Sequence, residues 1–332
     1  APDIDRKYEK LYAYLQDDMT CKYATVDLAL RLICRTEEER RELFGRLSPF
    51  APLAALLRKE PADAQRSALS RPLRADERIV AYVLGQEWSF EGPLASLRLY
   101  RPEERAPEPA ADEEVGRRLA DGVRRAADAP KLTVFAVHGP LGCGKTLQAR
   151  RAAAACGRGL LEWDAARAPA DEEAFLDAVA AVLREARLMD AIPAFDRLQT
   201  LGEDGAGGSP GTGGAAAGAG RRFELLVETL ARKWRGAVFL MAERPIAPMR
   251  PPPETAWFDV PLSVPPTAVR QRLWQLAAGE RFGLNEAEAA ALAAKFRFTP
   301  GRIESTVQAA LRLAAWEGGG AERGGDAAEA AG

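Results

Sequence analysis

Apolar residues recur at helical spacing through the first part of the chain. In "RKYEKLYAYLQDDM" (6–19), Tyr8, Leu11, Tyr12 and Leu15 fall on one side of a helix. "TVDLALRLI" continues the pattern, with Thr25 placed to cap it. A third helix opens at Thr36, where "TEEE" sets Glu39 at the capping-box position. "RPLRADERIVAYVLG" reads as an extended piece and then a short apolar segment. From residue 132 the rhythm changes to short apolar runs: "LTVFAV" (132–137), "LLEW" (160–163), "AIPAF" (191–195), "AVFLM" (237–241) and "WFDV" (257–260). Helical text such as "DEEAFLDAVAAVLREARLM" and "RRFELLVETLARKW" separates them. Strands alternating with helices predict a parallel sheet covered on both faces. After Pro265 the strands stop, and "AVRQRLWQLAAGE", "NEAEAAALAAKF" and "TPGRIESTVQAALRLAAWE" read as helices.

These patterns divide the chain. Small helices followed by a candidate wing predict a mainly α, winged-helix-like domain over residues 1–97. "RPEERAPEPAADEE" (101–114) is charged and proline-rich, which makes 98–112 a linker. Residues 113–264 are expected to form an αβα layer around a five-stranded parallel sheet. Its low-complexity insert "GEDGAGGSPGTGGAAAGAG" (202–220) is expected to be disordered. Residues 265–318 would form a helical lid, and the tail 319–332 lacks core-forming residues, so disorder is expected there too.

Composition narrows the classes. The 332 residues are 47% hydrophobic, enough to bury a substantial core. A formal net charge of −2 gives no electrostatic argument for nucleic acid or an anionic membrane. Acidic and basic residues also balance within 1–97, so a protein-docking or structural role suits that domain better than DNA binding. Cys21, Cys34, Cys143 and Cys156 stand far apart, and His138 is the only histidine. That spacing argues against zinc and for free thiols in a reducing, cytoplasmic setting. No signal peptide or membrane span is read; "DLALRLIC" is short and carries charge. The abrupt start at "APDIDRKYEKLY" suggests that an upstream portion is missing.

The chemistry concentrates in "TVFAVHGPLGCGKTLQARRAAA". Gly139 to Thr146 fits the phosphate-loop pattern GxxxxGK[ST] without departure. An apolar strand precedes it and an alanine-rich helix follows. Gly139, Gly142 and Gly144 let backbone N–H groups turn inward as an anion nest. Pro140, Leu141, Cys143 and Leu147 complete the nucleotide-binding stretch. Lys145 supplies charge near the β- and γ-phosphates, and Thr146 a hydroxyl for Mg²⁺. The helix that starts there points its positive dipole end at the phosphates. The expected ligands are therefore ATP and Mg²⁺. Cys143 is expected to point away from the chemistry, and His138 to be a packed residue.

A phosphate loop needs an acidic partner. "AIPAFDRLQTL" ends its apolar run at Asp196, the carboxyl end of the third strand in the predicted sheet. Asp196 is expected to join Thr146 on the metal by holding a Mg²⁺-bound water. The competing run, "AVFLMAER", offers no aspartate at that point.

With these motifs in place, residues 113–318 resemble the AAA+ ATPases. The resemblance implies ATP hydrolysis, with Glu243 or Arg244 near the sensor-1 position. It implies that Arg302, in "FTPGRIESTV", is a sensor-2 arginine facing the γ-phosphate. It further implies a homo-oligomer such as a hexameric ring, completed in trans by Arg244, Arg250 or Arg270. "YEKLYAYLQDDMTCKYATVDLALRLIC", "RLSPFAPL" and "LREARLMDAIPAFDRL" are similar to a bacterial AAA+ group with an N-terminal winged-helix-like domain. That group includes the ATPase associated with extracellular contractile injection systems, which implies a protein client or particle component. One departure stands out. AAA+ proteins commonly follow the strand-end aspartate with a glutamate that polarises water, and here Arg197 follows Asp196. An arginine does not act as a base. Slow turnover is expected, and a nucleotide-gated docking module or a DNA-associated regulator remains as an alternative.

Overall fold

Thr25 and Thr36 act at the starts of their helices as the sequence predicts. The Thr25 hydroxyl accepts from the Leu28 amide at 3.3 Å. Thr36 and Glu39 form a complete capping box. The computed structural model describes residues 2–47, 56–57, 65–86, 88–104, 113–127, 129, 131–202 and 215–329. The chain forms two units, Ala1–Ala95 and Ser96–Gly332.

In the first unit, the described helices are α1 (Lys7–Leu15), α2 (Val26–Ile33), α3 (Glu37–Arg46) and α4 (Glu77–Val83). Gln16 staples α1 to α2. Its amide donates to the Tyr12, Cys21 and Tyr23 carbonyls, while its oxygen accepts from the Thr25 hydroxyl at 2.7 Å. Ala13, Val26, Leu28, Leu30 and Ala81 are buried. The piece read as extended contributes the isolated bridges Thr25–Pro72 and Leu57–Ala75. The apolar segment after it is α4, started by Asp76, whose side chain accepts from the Arg78 amide.

The second unit is built on a sheet of order β1-β3-β4-β5-β2-β6. Its strands are β1 (Arg98–Tyr100), β2 (Leu132–His138), β3 (Gly159–Asp164), β4 (Ala191–Asp196), β5 (Gly236–Ala242) and β6 (Ala256–Pro261). The five strands expected from the apolar runs are all present and parallel. The sixth, β1, runs antiparallel to β3 and lies where a linker is expected. Three residues are too few to show an alternating pattern, and pairing with β3 is what makes them a strand. The remainder of the expected linker, from 105 to 112, lies outside the described residues.

Helices α5 (Glu113–Ala127), α6 (Lys145–Ala154), α7 (Glu172–Leu188) and α8 (Ala215–Lys233) cover the sheet. Phe135 tilts against Phe239 at 5.5 Å within a core shared with Leu119, Val123, Leu160 and Ile192, and it stacks at the same distance on the exposed Phe258. A separate group, Trp163, Phe175 and Phe195, is fully buried. Each such aromatic or branched side chain contributes about 1.5–3 kcal/mol when buried. Helix α8 begins inside the insert expected to be disordered: residues 215–220 are helical, and 203–214 lie outside the described residues. The alanine run at 215–217 carries the helix propensity that composition alone passed over.

The lid consists of α9 (Thr267–Phe282), α10 (Glu286–Lys295) and α11 (Pro300–Glu329). Leu273, Trp274, Ala289, Ala293, Ile303 and Val307 form its own core. Helix α11 continues as backbone helix through most of the tail, where disorder is expected; 330–332 lie outside the described residues. The fold is thus a mostly parallel α/β unit with a helical lid, preceded in the chain by a mainly helical unit.

Candidate nucleotide site

The loop from Gly139 to Gly144 joins β2 to α6 and carries two glycines whose side-chain positions are taken. A Cβ on Gly139 would lie 2.1 Å from the Leu262 carbonyl oxygen just after β6. Gly142 has φ 75°, and a Cβ there would meet the Thr299 hydroxyl at 2.9 Å and Gly301 Cα at 3.2 Å. The first approach ties the loop to the sheet and the second ties it to the lid. Two hydrogen bonds complete the second tie. The Thr299 hydroxyl donates to the Leu141 carbonyl, and the Gly301 amide to the Gly142 carbonyl, each at 2.9 Å.

Lys145 is buried, and its ammonium donates to the Gly139 carbonyl at 2.9 Å and the Pro140 carbonyl at 3.4 Å. Cys143 is buried in the sheet core, where burial raises its thiol pKa. It packs rather than reacts. His138, at the end of β2, faces Asp259 with Nε2 3.1 Å from Oδ1.

Gly142, Gly144, Lys145, Thr146, Leu147 and Asp196 line one cleft with Leu141 and Arg150. Its opposite wall is the lid: Leu273, Leu276 and Ala277 of α9 and Pro300, Gly301, Ile303, Glu304, Val307 and Gln308 of α11. The cleft holds about 550 Å³, within the range of small-molecule sites. The loop wall carries Lys145, Arg150 and Asp196, and the lid wall is mostly apolar, with Glu304 and Gln308 as its polar side chains.

Asp196 sits at the end of β4, in register with Asp164 of β3. Burial raises its pKa, and the negative charges of Glu162 and Glu243 push the same way. A backbone hydrogen bond from Arg197 and the Lys145 charge oppose the rise. The Thr146 hydroxyl donates to Glu162 Oε1 at 2.7 Å. Hydroxyl and carboxylate oxygens are the donor set of a hard cation such as Mg²⁺, so these residues fit one. No cluster of three or more histidine, cysteine or acidic residues arranged for a metal exists among the described residues.

The remaining candidates do not line the cleft. Arg197 follows Asp196 with φ 56° and is clamped by Asp164, its Nε donating to Oδ1 at 2.6 Å. Arg302 starts α11 next to the loop, but its guanidinium lies 4.8 Å from the Phe298 ring centre and does not line the cleft. Arg270 is corrected outright as a trans-acting candidate. It is buried and donates to the Pro265 and Ala293 carbonyls, which locks it inside the lid. Glu243, Arg244 and Arg250 are exposed.

Glu162, Tyr100, Arg150 and Glu304 lie in or beside the cleft although no motif marks them. For Glu162 there was a signal: it is the one charged residue in the apolar run "LLEW". A charge in a covered strand requires a partner. The other three had none.

Residues 1–92 match the family model "Winged helix domain, variant", and the N-terminal unit is accordingly a winged helix domain. No curated protein matches the chain. Among solved structures, a chain described under "Structural Basis for Katanin Self-Assembly" is similar at 15% identity and a TM-score of 0.40. The similarity covers 62% of this chain and 71% of that one. Likeness at that level carries no functional argument, so the reading of the site rests on its own geometry. No helix among the described residues is long and apolar enough to cross a membrane.

Proposed function

We propose that this chain is an AAA+-type ATPase that binds Mg²⁺–ATP in the cleft between the phosphate loop and the lid. The observation that carries the reading is the convergence of Lys145, Thr146 and Asp196 on one cleft closed by a helical lid. The loop amides and Lys145 bind the phosphates, Thr146 and Asp196 serve the metal, and the apolar lid wall receives the base. Bound Mg²⁺ would neutralise charge on the phosphates. Arg302 is the lid's candidate for the γ-phosphate once its guanidinium leaves Phe298. Arg244 and Arg250, both exposed, are the candidates to complete a neighbouring site in a homo-oligomeric ring. The winged helix domain supports docking to a protein client, and its resemblance to the contractile-injection group suggests a component of such a particle. The free cysteines suit a reducing, cytoplasmic setting.

A second reading has its own support. The Arg197–Asp164 pair occupies the place of a water-polarising glutamate, which favours a docking module that binds ATP and hydrolyses it little.

Calorimetry of ATP binding to wild type and Lys145→Ala tests the shared premise. Loss of one charge-assisted phosphate contact is expected to cost about 1.5–3 kcal/mol or more. Unchanged affinity in a folded Lys145→Ala protein would refute it. Sedimentation with a non-hydrolysable analogue then tests for assembly.

A further inference from the structure

Thr146 can ligate a cation only through an oxygen lone pair, so its proton needs an acceptor elsewhere. The structure supplies one. Glu162 Oε1 takes the Thr146 hydroxyl at 2.7 Å, and Oε2 takes the Tyr100 hydroxyl at 2.9 Å. Glu162 sits within β3, paired with Ala194 of the neighbouring strand, at 9% exposure. Tyr100 belongs to the antiparallel edge strand β1, and its ring carries the Arg150 guanidinium at 4.3 Å. Burial and the Glu162 charge raise the Tyr100 phenol pKa, so it keeps the proton that it donates.

We propose that Glu162 is the positioning residue of the metal side of this site, orienting the Thr146 hydroxyl and adding negative charge beside Asp196. The inference rests on the Mg²⁺–ATP reading and goes beyond it, because neither Glu162 nor Tyr100 belongs to the phosphate loop or to the acidic strand end. Two hydroxyl donors fix the carboxylate, and the carboxylate fixes which lone pair Thr146 turns to the cation. Hydrogen-bonding partners behind a metal ligand act by orienting it and raising its basicity. The same geometry separates Glu162 from a general base. It lies behind Thr146 and does not line the cleft, whereas Asp196 does. The edge strand β1 thus has a use besides closing the sheet: it delivers Tyr100 to Glu162.

The test measures ATP affinity of the full chain by calorimetry, in EDTA and across a Mg²⁺ titration. Glu162→Gln keeps the size of the side chain and is expected to bind metal-free ATP as wild type does. Its Mg²⁺ half-saturation should rise about 10–100-fold. Tyr100→Phe, which deletes one hydroxyl, should shift it the same way by a smaller factor. A purely structural Glu162 would lower the melting temperature and leave Mg²⁺ half-saturation alone, which overturns the proposal. If Glu162→Gln does not fold, Tyr100→Phe decides: wild-type Mg²⁺ dependence in that variant overturns the proposal too. Wild-type protein that binds ATP without dependence on Lys145 would instead remove the functional reading beneath it.

Discussion

The ends of β2 and β4 lie one strand apart in the sheet, with β5 between them, yet they are differently equipped. After β2 the glycine-rich loop matches its motif in full, with Lys145 folded against the loop carbonyls and Thr146 held by Glu162. After β4, Asp196 is followed by an arginine that spends its charge on Asp164. On the proposed reading, one end would hold a nucleotide, and the other would carry a metal-side carboxylate without the adjoining base. The contrast teaches that binding and turnover are separate properties of such a sheet, and the proposal is that this chain is better provided for the first.

The largest effect should appear in turnover. General-base contributions are worth about 10²–10⁴-fold in rate, and wild-type phosphate release should be slower by a factor of that order than with a glutamate in place. Arg197→Glu, combined with Asp164→Asn so that two carboxylates do not collide, is expected to raise kcat in a steady-state phosphate assay. Glu243→Gln should leave the rate unchanged. Fast wild-type turnover abolished by Glu243→Gln would move the base to the end of β5 and erase the contrast.

A smaller effect tests how the loop is held. Gly142→Ala places a methyl against Thr299 and Gly301 at a backbone angle that costs an L-residue about 1–2 kcal/mol. The melting temperature should fall and ATP affinity with it. An unchanged melting curve would mean that the lid does not rest on the loop.

The smallest effect concerns Asp196. Its pKa is raised, mainly by burial, so the folded protein keeps this proton to higher pH than the unfolded chain does. Stability is therefore lost as pH rises from the ordinary carboxylate range through the folded pKa. Without nucleotide, Asp196→Asn should be slightly more stable than wild type near neutral pH, and the two should converge under acid. Urea melts at both pH values check this. A less stable Asn variant at neutral pH would show that the carboxylate is satisfied in the free protein, sharpening the site's pre-organisation for metal.

Much of this architecture was legible beforehand, for identifiable reasons. Four of the five parallel strands announce themselves as apolar runs because both of their faces are covered, and only the edge strand β6 leaves residues exposed. Thr25 and Thr36 cap helices through contacts three residues away, a range that sequence spacing encodes directly. Strand β1 was missed because three residues have no period, and the helical text at 215–220 was hidden by the glycine-rich composition around it.

The sequence by itself determined the glycine-rich turn between β2 and α6, since its motif lies within eight consecutive residues, Gly139 to Thr146. It also determined that Asp196 ends a strand and that a helical lid follows the sheet. Only the tertiary structure decided what those groups meet. Tyr100 reaches Glu162 across 62 positions, and Thr299 reaches Leu141 across 158. Arg270 turned inward to lid carbonyls, and Arg197 to Asp164. Alternation along a strand fixes which face a side chain takes. The partner waiting there is set by strand order and packing, which no local spacing contains.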